Sequence, residues 1–319
     1  MNMMKIWSLG DAVVDLLPLE NMQYQACAGG APANVAVGVA RLGVASGFVG
    51  RLGSDPCGRF MLKSLAEEGV DCQCIEQEQQ YLTSTVMVDL AENGERSFTF
   101  LVSPSADQFL QQQELPSQKA DILHFCSLAL VGDVGRHSLN AILQQIKRQQ
   151  GLVSFDLNLR AQMWQDKVQM HRMISQYCAQ ADILKLSDDE LFWLTECTAG
   201  DWDSALTKLA SYPASIKAIT QGKDGCLVMY QNSIYCFDGY PVVSVDTTGA
   251  GDAYMAGLLA AIAVNGIPQQ FDALNNVISQ ACACGALATT RKGAWSALPD
   301  INQLHSFLSI HGKLAAVMR

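Results

Sequence analysis

Predominantly apolar runs rich in β-branched and aromatic residues recur along the chain at 46–49, 122–126, 152–157, 183–186, 216–220 and 226–230. Runs of this kind, without strict polar alternation, predict strands covered on both faces, as in a parallel sheet between two layers of helices. The segments between them carry helix punctuation. Asp55 and Pro56 supply an N-cap and a first-turn proline, and Gly69 ends that helix. A helix over 32–42 stops at Gly43, and Asp188-Asp189-Glu190 opens another with charges suited to the positive end of a helix dipole. A further helix over 252–264 closes at Asn265-Gly266, ahead of Pro268. The rhythm predicts one α/β domain over residues 1–319.

Two stretches break the rhythm. Residues 12–27 and 83–101 read as β-hairpin material. In the second, the strand-like run 85–90 leads into Glu92-Asn93-Gly94 and then into 96–101, and Asn-Gly between two such runs is a strong hairpin signal. Strand alternation puts Phe98 and Phe100 on one face, Ser97 and Thr99 on the other. These segments predict a small sheet projecting from the main body.

Composition narrows the function classes. The chain has 319 residues, 49% of them hydrophobic, enough to bury a large core. A net charge of −10 disfavours nucleic acid as a general partner, although backbone donors can still bind a small anion locally. No secretory signal or membrane span is expected, since the long apolar run at 253–264 is too short to cross a bilayer. The expected location is the cytoplasm. The 11 cysteines are scattered, without zinc-knuckle spacing, and read as reduced thiols.

The segment richest in chemistry is Val242-Val243-Ser244-Val245-Asp246-Thr247-Thr248-Gly249-Ala250-Gly251-Asp252, read as a strand, a glycine-rich turn and a helix start. Glycines at such a turn let an anion approach main-chain N–H groups, and the helix N-terminus adds partial positive charge. A carboxylate at the same terminus is placed to take a proton from a hydroxyl during phosphoryl transfer. A structural turn capped by Asp252 also fits the bare Gly-x-Gly-Asp spacing. The segment is neither a Walker loop nor a dinucleotide fingerprint.

The whole run 246–252 resembles the C-terminal signature of the ribokinase-like (PfkB) carbohydrate kinase family. Ala28-Gly29-Gly30-Ala31-Pro32-Ala33-Asn34-Val35-Ala36, continuing to Gly43, resembles its N-terminal signature, and 47–55 follows in kind. The similarity runs from Gly10 to about Pro299. It implies a ribokinase-like α/β fold, a mainly parallel sheet flanked by helices, with a β-sheet lid from about 12–28 and 82–103. It implies transfer of the ATP γ-phosphoryl group to a sugar alcohol, with Asp252 as base, the N–H groups of Gly249, Ala250 and Gly251 as an anion hole, and Arg160 of Asp156-Leu157-Asn158-Leu159-Arg160 as a positioning donor.

Asp11, Asp15, Gly29, Gly30, Asn34, Phe100, Arg160 and Asp252 would line the sugar pocket. Asp11 and Asp15 taken alone also read as turn or strand-end residues. Ser187, Thr220, Gly222, Lys223, Gly225, Gly251 and Asn276 would border the nucleotide. Glu190 would organise Mg2+ through water. Asp246, Thr248, Ala288, Arg291 and Gly293 would hold a monovalent cation, K+. The chain departs from the family pattern at Ser187, which stands in place of Asn, and at Ala297, where ribokinases often carry Ser. Within the family the resemblance is nearest to bacterial fructokinases and aminoimidazole riboside kinases. D-fructose is the expected acceptor, a riboside, nucleoside or ribose the alternative, and a homodimer the expected assembly. A sugar-binding regulatory protein on the same fold is the non-enzymatic alternative.

Overall fold

The computed structural model describes residues 3–90, 96–111 and 114–319, without the side chains of Leu90 and 96–98. The expected Glu92-Asn93-Gly94 turn and the facing of Ser97 and Phe98 lie outside them. A ten-stranded sheet forms the body, in the order β14 (Ala316–Met318), β13 (Ser233–Phe237), β12 (Cys226–Tyr230), β11 (Ile216–Thr220), β10 (Ile183–Ser187), β9 (Leu152–Asp156), β8 (Ile122–Cys126), β1 (Ile6–Leu9), β4 (Ser46–Gly53) and β5 (Asp71–Glu78). From β11 to β5 every neighbouring pair is parallel. The run 226–230, expected with the parallel strands, is instead antiparallel to β11. Only the short turn around Gly222–Asp224 joins the two, and a parallel return needs a crossover of a dozen residues or more.

A separate four-stranded sheet has the order β3 (Tyr24–Gly29), β2 (Val13–Pro18), β6 (Thr85–Leu90), β7 (Arg96–Phe100). It consists of the two expected hairpins, joined where β2 runs parallel to β6. Asp55 ties this sheet to the body. Its carboxylate accepts the N–H groups of Cys57 and Gly58 as a helix cap, and the Thr83 N–H and hydroxyl on the approach to β6.

Helices cover both faces of the main sheet. They are α1 (Ala31–Arg41), α2 (Pro56–Glu67), α3 (Asp133–Arg148), α4 (Lys167–Cys178), α5 (Asp188–Thr195), α6 (Trp202–Ala210), α7 (Ala250–Asn265), α8 (Phe271–Ala288), α9 (Ala294–Ala297) and α10 (Ile301–His311). Successive strand residues divide between two cores: Ile6, Ile122 and Ile183 pack with α1, α7 and α8, whereas Trp7, Leu123 and Leu184 pack with α3, α4 and α6. That period of two is what buries each strand on both sides. Among the described residues no helix is long and apolar enough to cross a membrane.

The strand expected before the glycine turn does not form. Val243 and Val245 are exposed, and the N–H groups of Val245 and Asp246 donate to the Thr289 carbonyl at 2.7 and 3.1 Å. The segment is clamped to the end of α8 instead of to a sheet edge. The helix after it begins at Ala250 rather than Asp252, preceded by Gly249 at φ 75°, a left-handed geometry that glycine adopts readily.

Candidate active site

The first turns of α1 and α7 meet at the C-terminal ends of the parallel strands. Their axes approach closely because Gly38 has no side chain: a Cβ there would fall 2.6 Å from the Cβ of Ala256. The approach brings Asn34 to Asp252, and the Asn34 amide donates to Asp252 Oδ2 at 2.6 Å. Asp252 is 9% exposed. Burial pushes its pKa up, and Asn34, Lys185 and Arg160 pull it partway back.

A cavity of about 150 Å³ opens over that carboxylate. Its lining brings together Asp11, Asp15, Gly30, Asn34, Phe100, Arg160, Thr248, Gly249 and Asp252, from both sheets and both helix starts. Gly29 does not line it, but a Cβ at that position would lie 2.3 Å from Asp15 Oδ2 and would displace the Asp15 carboxylate from where it sits. Asp11 is pushed up to about 7, first by burial and then by Asp107; Arg160 opposes the shift and Asp252 adds to it. Arg160 is braced by its own donation to the Leu159 carbonyl at 2.9 Å.

Cys126, Leu128, Asn158 and Gln162 also line the cavity and were not singled out from sequence. Asn158 carried a signal, since it is the central polar residue of Asp-x-Asn-x-Arg, and its φ of 37° marks a backbone held in a sparsely populated region. A larger cavity, about 1010 Å³, lies at the opposite ends of the strands, lined by Tyr212, Lys217, Tyr230 and Arg319. None of the predicted site residues lines it.

Sequence reasoning missed a buried ion pair beneath the glycine turn. Lys185 Nζ lies 3.0 Å from each oxygen of Asp156, on neighbouring strands β10 and β9. The ammonium reaches under Gly251, where a Cβ would be 3.1 Å from Nζ. Burial works against the Lys185 charge, but the carboxylates of Asp156, Glu190 and Asp252 outweigh it and keep the pKa raised. Burial pushes Asp156 up to about 7 against the pull of Lys185, with Glu190 and Asp252 adding to the rise. The pair is best described as ionised on the lysine side, because three carboxylates face one ammonium.

On the expected nucleotide side, Ser187 and Thr220 are partners in register at the ends of β10 and β11. Ser187 caps α5, accepting the Glu190 N–H at 3.2 Å, while Glu190 accepts the Ser187 and Leu159 N–H groups at 2.8 and 2.7 Å. Gly222 and Lys223 sit on an exposed turn, and Asn276 is exposed on α8. Gly225 has a packing reason to be glycine, since a Cβ would lie 2.0 Å from the Phe237 carbonyl.

Of the expected cation residues, Asp246, Thr248 and Gly293 form one cluster, whereas Ala288 is the buried last residue of α8 and Arg291 is exposed on the loop that follows it. Asp246 Oδ1 accepts the Thr248 N–H and hydroxyl at 3.0 and 2.7 Å, and Oδ2 accepts the Gly293 N–H at 2.8 Å. Its carboxylate thus ties the glycine turn to the loop after Ala288 that carries Arg291. The Ala250 N–H donates to the Thr247 carbonyl at 3.2 Å, so of the three expected anion-hole donors this one is already engaged.

The model of the pfkB family carbohydrate kinases matches residues 3–301. The chain is 50% identical over 306 residues to a fructokinase of Klebsiella pneumoniae, covering 95% of this chain and 99% of that one. Its fold is similar, at a TM-score of 0.89 and 44% identity, to a double-mutant fructokinase of Vibrio cholerae O395 in a fructose, ADP and potassium ion bound form, covering 96% of this chain and 98% of that one. It is also similar, at a TM-score of 0.87 and 36% identity, to the aminoimidazole riboside kinase of Salmonella enterica complexed with aminoimidazole riboside and an ATP analog, covering 96% and 99%. With matching signatures at both ends of the chain and the two helix starts they encode facing one cavity, the chain belongs to the pfkB family of carbohydrate kinases.

Proposed function

We propose that this carbohydrate kinase transfers the γ-phosphoryl group of ATP to the primary hydroxyl of D-fructose, giving D-fructose 6-phosphate, with Asp252 as general base. The observation that carries the proposal is the buried Asp252 carboxylate at the start of α7, flooring a cavity walled by Asp11, Asp15, Asn34 and Arg160. At about 150 Å³ the cavity is on the scale of a single sugar, and ATP is assigned to the strand ends at Ser187 and Thr220, where open α/β sheets bind ligands. The nearness of the Klebsiella and Vibrio fructokinases supports fructose as the sugar.

In this mechanism Asp11 and Asp15 accept bonds from sugar hydroxyls and orient the ring over Asp252. Asp252 takes the hydroxyl proton as the oxygen attacks, and its raised pKa suits it to hold that proton. The first free N–H groups of α7 face the charge that develops on the transferred group, with Lys185 adding positive charge beneath Gly251. Arg160 holds its planar donor fork in the cavity wall. Bound Mg2+ would neutralise phosphate oxygens; Glu190, with both oxygens already accepting backbone N–H groups, fits an assignment through ordered water. The oxygen-rich cluster of Asp246 and Thr248, with the end of α8 at Ala288 and the following loop of Arg291 and Gly293, fits K+, which would stiffen the turn.

A coupled ADP-release assay with fructose, ribose, tagatose and aminoimidazole riboside tests the reading. Highest kcat/KM on fructose is expected; highest on the riboside would replace the acceptor, and no ADP release with any of them would favour a binding protein. In the same assay Asp252→Asn is expected to lower turnover about 100-fold or more with sugar and ATP binding retained. Wild-type turnover in that variant would remove Asp252 as the base.

A further inference from the structure

We propose that Trp295 is a positioning residue for Asp252: its indole N–H fixes the Asn34 amide so that the NH2 end faces the carboxylate. The proposal rests on Asp252 being the base. The Trp295 Nε1 donates to Asn34 Oδ1 at 2.7 Å, and Asn34 Nδ2 donates to Asp252 Oδ2 at 2.6 Å. All three residues are buried. An amide can be turned end for end with little change in shape, so its orientation must be set by neighbours. An indole N–H can only donate, hence the atom of Asn34 that meets it is the carbonyl oxygen. Turning the amide over would set NH2 against N–H at one end and a carbonyl oxygen against a carboxylate at the other. Both contacts would be repulsive in a site shielded from water.

Trp295 is held by the two elements it connects. Arg41, on the same helix as Asn34, donates to the carbonyls of Trp295 and Leu298 at 2.6 and 3.0 Å. The Gly293 N–H, at the start of α9, donates to Asp246 Oδ2 at 2.8 Å, and Asp246 opens the turn that ends in Asp252. The indole is therefore aimed from a frame shared by α1 and the glycine turn, and its direction is not free to drift with either alone.

The consequence is electrostatic. A hydrogen bond to the charged form of a carboxylate favours that form, and Asn34 is the largest influence pulling Asp252 back toward ionisation. Lys185 and Arg160 act in the same direction, whereas Asp11, Asp156 and the Cys126 thiol face Asp252 from the β1–β2 connection, β9 and β8 without supplying a donor to it. Losing the Trp295 N–H releases the amide to turn, and the base then takes its proton at higher pH.

The test is the pH profile of kcat/KM in Trp295→Phe, which keeps an aromatic ring and removes the donor. The acid limb is expected to move up by about one unit, a tenfold loss on the limb, with most of the turnover recovered at alkaline pH. A uniform loss at every pH with the limb unmoved marks a packing role and overturns the proposal, as does an unchanged profile. If Trp295→Phe does not fold, Asn34→Asp examines the same contact. Its carboxylate can accept from Trp295 but has nothing to donate to Asp252, so the limb must rise further, and a limb at the wild-type position overturns the proposal. Asp252→Asn in parallel separates the two levels: activity there removes the base itself, whereas an inactive Asp252→Asn with an unmoved Trp295→Phe limb removes only the positioning role.

Discussion

Replacing Lys185 by Met keeps most of the side-chain volume and deletes the ammonium that lies 3.0 Å from both oxygens of Asp156. Removing one partner of a buried ion pair leaves the other uncompensated and destabilises by about 3–5 kcal/mol when that partner stays charged. Asp156 need not stay charged. Burial, with Glu190 and Asp252, already holds it at about 7 against the pull of Lys185, so in the variant it rises further. A carboxyl whose folded pKa lies above its unfolded value contributes stability fully below the unfolded pKa and loses it as pH rises through the folded one. In wild type that loss ends near 7; in Lys185→Met it continues above 7, at ~1.4 kcal/mol per pH unit. The destabilisation is therefore expected to be ~1–3 kcal/mol at about pH 6 and ~2 kcal/mol larger at about pH 8.5. Urea unfolding of both proteins at the two pH values, followed by far-UV circular dichroism, measures it. A difference that is constant with pH, or that shrinks as pH rises, would refute the reasoning.

The cluster of Asp246, Thr248 and Gly293 predicts that activity rises when K+ is added to a buffer holding only a bulky organic cation at matched ionic strength; equal rates count against a cation role. Asp15→Ala is expected to raise the fructose constant far more than the ATP constant, since a pocket built to bond hydroxyls loses one of its acceptors. Phe100→Ala, which removes only an apolar wall, is expected to weaken apparent sugar affinity less; a change confined to the ATP constant in Asp15→Ala would misplace the pocket.

Features set by local chemistry were legible in the sequence. The cap at Asp55, the stops at Gly43 and Gly69, and the antiparallel pairing of β2 with β3 and of β6 with β7 each depend on residues close in sequence, and each forms. The gathering of Asp11, Asp15, Asn34, Arg160 and Asp252 was legible through family signatures, not through spacing. What escaped was long-range and indifferent to local pattern. Trp295 meets Asn34 across 261 positions, and nothing near either residue marks the pairing. Lys185 left a trace, a charge inside the apolar run Ile183-Leu184-Lys185-Leu186, but its partner could be named only once β9 and β10 were known to be neighbours. The 242–245 run misled because apolar residues suit a strand as well as an extended segment, and only the Thr289 carbonyl decides between them.

The cavity draws its floor and its walls from different parts of the molecule. Asp252 and Asn34 stand on α7 and α1, which are locked against each other by the contact of Gly38 with Ala256, while Asp15, Val86 and Phe100 stand on strands of the smaller sheet. The base and part of the sugar-binding wall thus stand on separate mechanical parts, while Asn34 and Arg160 stay with the body. Directed evolution toward a new acceptor has its permissive surface at the cavity-lining positions Val86 of β6 and Phe100 of β7, on strands outside the helix pair that holds the base. Libraries confined to those strands should yield altered sugar preference among variants that still turn over, whereas libraries in the first turns of α1 and α7 should yield mostly inactive protein.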